Sequence, residues 1–123
     1  MATQADARRL ALALSDTVES TTDFAFSVTV KGKLKGFAWV WKERVDPKKP
    51  RIPNPKMLAI RVANNAVKDF MMTNEPDKFV FDPHYNGFPA VIVRLAKVRV
   101  PELRELLTEG RNSLIAPPRR KKG

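Results

Sequence analysis

The sequence predicts an α+β domain. A mostly antiparallel sheet of about five strands is packed on one face by N- and C-terminal helices, with a short helix mid-chain. Three observations carry this. Several stretches alternate apolar and polar residues with a period of two, as strands do. Both ends of the chain repeat apolar residues at helical spacing. The order is helix, two strands, loop, strand, helix, one or two strands, helix, with no internal repeat, which suits a sheet covered by helices on one side.

The first element is a helix in "TQADARRLALALSDT". Ala7, Leu10, Leu14 and Val18 recur at helical spacing, and Thr3 or Asp6 suits the N-cap. "DFAFSVTV" then alternates, with Phe24, Phe26, Val28 and Val30 on one side and Ala25, Ser27 and Thr29 on the other. "KGKLKG" signals a turn between strands. "FAWVWKERV" alternates next, placing Phe37, Trp39 and Trp41 together and inward. "DPKKPRIPNPK" holds four prolines and four basic residues. Proline fixes the backbone and cannot donate to a ladder, so an exposed loop is expected. "MLAIRVA" is a strand with Leu58, Ile60 and Val62 inward. "NNAVKDFMMTNEP" is a short helix capped by Asn64 or Asn65 and stopped before Pro76. "DKFVF" and "PAVIVRL" follow as strands. "VPELRELLTEGRNSL" closes the domain as a helix with Pro101 in its first turn. Residues 1–116 make one domain, and 117–123 a basic, frayed tail.

Composition limits the function classes. The chain has 123 residues, 43% of them hydrophobic, no cysteine and one histidine. That is enough to bury a core, and it removes thiolate metal sites, disulfides and cysteine nucleophiles together. No apolar run approaches the roughly 20 residues needed to span a bilayer. The start is taken as a mature N-terminus rather than a signal peptide, so a soluble cytoplasmic protein without membrane association is expected.

The net charge is +10, and it is uneven. Residues 31–61 carry ten basic and two acidic groups, net +8, and residues 94–123 carry nine and three, net +6. The two remaining blocks, 1–30 and 62–93, are each −2. Clustered positive charge attracts polyanions. With the apolar sides under the helices, the outer face would carry Lys31, Lys42, Arg44, Arg61 and Arg94 among small residues. Lys33 and Lys35 in the turn, and Lys48, Lys49 and Arg51 in the proline-rich loop, would flank it like wings. The expected role is therefore nucleic-acid binding, DNA in preference to RNA, through about 5–8 phosphates. No helix combines a basic face with amide side chains, so sequence readout is not expected. The alternative is an adaptor whose basic face meets an acidic protein partner.

His84 lies in "DPHYNGFPAVIVRL". Its ordinary pKa would suit a general base, but no nucleophile motif accompanies it, and adjacent residues on an extended segment seldom face one another. A turn explains more of the stretch. Pro83 restricts Asp82, Asn86-Gly87 tolerates positive φ, Pro89 starts a strand, and Tyr85 and Phe88 anchor the turn on the core. No enzyme activity is expected. Trp39 and Trp41 are assigned to the core, with base stacking as the rarer alternative.

Together, "GKLKGFAWVWKERVDPKKPRIPNPKMLAIRV", "EPDKFVFDPHYNGFPAVIVRL" and "ELRELLTEG" resemble the MmcQ/YjbR-like family, over about residues 8–116. The most specific piece is the His-Tyr-x-Gly-x-Pro-Ala turn and strand at 84–90, with Phe79 upstream. The chain departs from the family at Leu14-Ser15-Asp16, where a Leu-Pro turn is frequent, and at Arg111, where an aromatic residue is frequent. The resemblance implies a frataxin-like fold with a double-wing motif and DNA binding, itself inferred from fold. Frataxins bind iron, but here the first helix holds only Asp6 and Asp16 as carboxylates, and the net charge has the wrong sign. No metal or cofactor is expected.

Overall fold

A computed structural model describes residues 1–43 and 46–115. The N-terminal helix is capped by Thr3. Its hydroxyl accepts from the Asp6 backbone N–H at 3.2 Å, and the Asp6 carboxylate accepts from the Thr3 N–H at 3.0 Å. This reciprocal capping satisfies two otherwise unpartnered donors and starts α1, Gln4–Leu12. The helix ends earlier than its periodicity suggested. Asp16 adopts a left-handed φ of 63°, and Val18 lies in a short strand, β1 (Thr17–Glu19), not on a helix face. This is the sixth strand, which alternation over three residues cannot announce.

β2 (Ala25–Val30) and β3 (Lys33–Glu43) form a hairpin. Its two-residue loop is Lys31-Gly32, with φ of 53° and 80°. Two positive φ values give a turn whose twist matches the flanking strands. The turn signal is thus confined to two residues, and Lys33–Gly36 are strand. β4 (Ile52–Arg61) begins inside the proline-rich segment expected to be loop. Ile52, Pro53 and Asn54 pair with Glu43, Lys42 and Trp41. The strand on the other side of β4 reaches only Met57. Pro53 therefore sits where β4 has a single neighbour, and Pro55 in the register break between Asn54 and Leu58 where no β3 residue faces it, both places a sheet tolerates a residue without a donor.

Asn64 caps α2 (Asn65–Asn74), its side chain accepting from the Val67 N–H. β5 (Phe79–Val80), β6 (Ala90–Arg94) and α3 (Val100–Ile115) complete the chain. The sheet is antiparallel with order β1-β2-β3-β4-β6-β5. α1 and α3 pack on each other, and α3 lies across β2, β3 and β4, while α2 touches β5 and β6. The core between them holds Phe26, Val28, Phe37, Ala38, Leu58, Ile60, Val91 and Val93 beneath Ala7, Leu10, Leu103 and Leu107.

One irregularity re-sorts the faces. Phe26 pairs with Ala38 but Ser27 pairs with Gly36, leaving Phe37 as an extra residue in β3. A bulge of this kind breaks the two-residue alternation. Phe37 and Ala38 are both buried in the helix-side core, and every later residue of β3 changes phase. Trp39 and Trp41 do not join Phe37. They emerge on the face away from α1 and α3.

Arg111, standing where the family it resembles often has an aromatic residue, donates to the Ser15 carbonyl and hydroxyl at 2.6 and 2.9 Å. That ties α3 to the segment after α1. α3 approaches β4 closely at Gly110, where an added Cβ would lie 2.6 Å from the Arg61 carbonyl oxygen and 3.2 Å from Ile60 Cγ2. Gly110→Ala should gain up to about 1 kcal/mol of helix propensity, but the contact is with backbone and cannot yield. Overpacking costs about 1–3 kcal/mol, so net destabilisation is expected in urea unfolding. An unchanged or raised midpoint would contradict this packing.

Candidate nucleic-acid interface

The outer face is built around the displaced tryptophans. Trp39 pairs across β4 with Ala59, which pairs with Ile92 on β6. The small Ala59 beside Trp39 leaves room above the strands, and the segment 82–88 fills it. Asp82 opens this segment, its carboxylate accepting from the His84 backbone N–H at 2.9 Å to launch a 3₁₀ turn over Pro83–Tyr85. Gly87, at φ 81°, turns the chain toward β6. The segment is thus the turn its residues announced. It anchors on the tryptophans, however, and not on the helix-side core. Trp39 Nε1–H donates to the Tyr85 hydroxyl, and Trp41 Nε1–H to the Asp82 carboxylate, each at 2.9 Å. Phe88 packs against both Trp39 and Tyr85, with ring centroids 6.1 Å apart in each pair.

A lysine fastens the same segment from α2. Lys68 is only 7% exposed, and its Nζ donates to the carbonyls of Tyr85 and Phe88 at 2.6 and 2.9 Å. Burial holds its amine below the ordinary lysine range, opposed by the charges of Asp69 and Asp82. Sequence reasoning passed over Lys68. The signal was its spacing: it shares the inner stripe of α2 with Met71 and Met72, three and four residues on, so its stem runs along apolar surface.

The predicted cations divide into separate groups. Lys35 pairs with Val28 and Lys33 with Val30. Cross-strand partners share a face, so these lysines leave the sheet on the helix side, and Lys31 sits at the hairpin tip. They do not extend the face bearing Arg61. Lys48 and Lys49 lie in the turn at 46–49, where the backbone N–H groups of both donate to Asp46. That turn is at the opposite end of β3 from the hairpin, about 35 Å away for an eleven-residue strand. The contiguous basic platform expected from alternation is not formed.

On the outer face itself, Arg61 lies over the Phe88 ring, 5.5 Å from its centroid. Arg51 donates to the Lys42 carbonyl at 2.8 Å and stands 3.4 Å from the Asp82 carboxylate. Lys42, expected on this face, follows Trp41 in β3 and so leaves the strand on the opposite side, 4.0 Å from Asp23 at the edge where β2 stops. Arg94 is engaged structurally, donating to the carbonyls of Pro76, Asp77 and Phe79 at 3.0–3.2 Å, so it braces β5 instead of facing solvent unpartnered. Arg44 and the 117–123 tail lie outside the described residues.

These side chains frame two adjoining hollows. One, of about 330 Å³, opens where β2 stops and β3 continues, between Asp23–Ala25, Trp39, Lys42, Arg51, His84 and Tyr85. The other, of about 310 Å³, is bounded by Trp39, His84, Tyr85 and Phe88. Both are near the lower end of the roughly 300–1,000 Å³ typical of small-molecule sites. His84 is exposed at their shared rim. Among the described residues no group of three or more His, Asp or Glu side chains is arranged to hold a metal ion, and no helix is long and apolar enough to cross a membrane.

No family model matches the chain, and no solved structure matches it. Over 57 residues it is 40% identical to uncharacterized proteins of Mycobacterium tuberculosis and Mycobacterium bovis. The matched stretch covers 46% of this chain and 44% of each relative, so the chain spans less than half the length of the curated relatives it matches. Their descriptions assign no activity.

Asp82 is the electrostatic centre of the segment, at 8% exposure. Burial pushes its carboxyl up, but the Trp41 N–H, the His84 N–H and the Arg51 guanidinium outweigh this and leave it below the ordinary value. A depressed folded pKa stabilises above the unfolded value of about 3.9, and that contribution is lost as pH falls through the folded value. Asp82→Asn should cost about 1–3 kcal/mol at pH 7. It should also lose less stability than the parent between pH 7 and pH 3, as read from urea midpoints. Equal losses in both proteins would contradict the role given to Asp82.

Proposed function

We propose that the protein binds nucleic acid, DNA before RNA, mainly through phosphates and largely without reading sequence. The observation that carries this reading is a set of cations without carboxylate partners. Among the described residues Lys31, Lys33, Lys35, Lys48 and Arg61 form no ion pair, in a chain of net charge +10. Their charge is therefore not cancelled locally, and a polyanion that binds them releases its condensed counterions into bulk solution. The division between the hairpin tip and the 46–51 turn suits a strand lying along the length of β3, held at both ends.

We further propose that the chain is a member of the MmcQ/YjbR-like family. The Asp-Pro-His-Tyr-x-Gly-x-Pro-Ala stretch supports this, because its residues build the 82–88 cover over the tryptophans. The DNA-binding expectation attached to that family agrees with the charge. A second reading, an adaptor for an acidic protein, draws support from Phe70 and Phe81, which are 69% and 65% exposed on α2 and just after β5. Exposed aromatic residues of this size favour protein contact.

The test is a fluorescence titration of labelled random-sequence duplex at several salt concentrations. Contact with 5–8 phosphates gives a slope of log K against log salt of about −5 to −7. Charge reversal of Lys31, Lys33 and Lys35 to Glu should flatten it by roughly one unit for each phosphate left without its lysine. Arg94→Gln should lower the melting temperature but leave the slope alone, because its guanidinium is occupied by carbonyls. No binding of nucleic acid at low salt would reject the reading and favour the adaptor.

A further inference from the structure

From the same outer face we infer a second, chemically different contact. The groove between Trp39, His84 and Tyr85 receives an unpaired nucleobase, so single-stranded nucleic acid is held in preference to duplex. This rests on the nucleic-acid reading above and adds to it what kind of strand is bound.

The groove differs from a bare phosphate-binding surface in its lining. Its two hollows share Trp39, His84 and Tyr85 as common walls, so three ring systems border both. Both tryptophan N–H groups are already used in internal hydrogen bonds. The indoles therefore offer a ligand their faces and edges, and the polar atoms left to the groove are the Tyr85 O–H, which accepts from Trp39, and the ring nitrogens of exposed His84. The residue flanking the Trp39 six-membered ring is Gly36, where an added Cβ would lie 3.7 Å away. Glycine adds no side chain to that flank of the indole, where Ser27 Oγ would lie 3.9 Å from the same added Cβ.

Cations stand at both ends. Lys42 and Arg51 line the hollow on the side where β2 stops, and Arg61 lies beyond Phe88 on the other. Aromatic surface between cationic groups fits a strand that alternates flat rings with phosphates, since bases stack on the rings while the backbone meets the charges. In a duplex the base faces are already stacked on neighbours, so the groove would have to unstack a step before filling. An apolar peptide would leave the flanking cations unused, and a small inorganic anion would leave the rings unused. Asp23 beside Lys42 and Asp82 beside Arg51 offset the charge at that end, which leaves the rings to supply most of the preference.

The experiment compares a dT oligonucleotide with a hairpin duplex of equal phosphate count at one low salt concentration. Intrinsic tryptophan emission is the readout, in the parent and in Trp41→Phe so that Trp39 reports alone. The dT strand should bind about tenfold tighter and quench Trp39. His84→Ala should weaken dT binding about fivefold or more while changing duplex affinity less than twofold, since removing a stacking partner affects only free bases. His84 is exposed and makes only a ring contact with Tyr85 through its side chain, so this variant keeps the fold. Trp39→Leu, checked for an intact thermal transition, should do the same. Equal affinity for strand and duplex, or no response to either variant, overturns the inference while leaving phosphate binding standing. Failure of both ligands to bind overturns both.

Discussion

The single extra residue in β3 at Phe37 decides how this molecule is arranged. Without it, strand pleating would send Phe37, Trp39 and Trp41 together beneath the helices and turn Ala38 outward. With it, Phe37 and Ala38 both enter the helix-side core, and two large amphipathic rings are delivered to the other face. A face holding two tryptophans cannot be left bare without exposing a large apolar area. The segment from Asp82 to Phe88 covers them in part, and each indole N–H finds an acceptor in it. The core, the cover and the groove follow from that local slip.

The cover is held by polar contacts more than by apolar area. Lys68 grips two of its carbonyls from α2, and Asp82 gathers an indole, a backbone amide and a guanidinium. Hydrogen bonds to charged groups are worth more than neutral ones and cost more to leave unmade. A segment fastened this way keeps its rings in place while remaining exposed at its rim, which suits a surface that meets a ligand. Meanwhile the charge that makes the protein basic is spread over two ends of the sheet and over both faces, so electrostatic attraction and ring contacts are separated in space.

Much of this was legible in the residues. The helices, the hairpin, β6 and the Asp82-to-Pro89 turn follow from capping residues, alternation and proline placement. β1 was not, because three residues after a helix carry too little pattern. The start of β4 was masked by prolines, which are tolerated only because one side of that strand is open. The outer face was misassigned for one reason: alternation has no way of counting an inserted residue. Gly36 was the one local hint, since an isolated glycine in a strand pattern often marks a bulge. Arg94 looked like a free cation because its partners are main-chain carbonyls, which no side-chain pattern discloses. Lys68 could have been found from its place on the apolar stripe of α2.

The most direct measurement is the set of nuclear Overhauser contacts made by the Trp39 indole in solution. The structure requires its Nε1 proton to lie near the Tyr85 ring, with further contacts to Phe88 and Gly36. Contacts from that indole to Leu103 or Leu107 would place it under the helices. They would mean that β3 carries no bulge and that the groove does not exist.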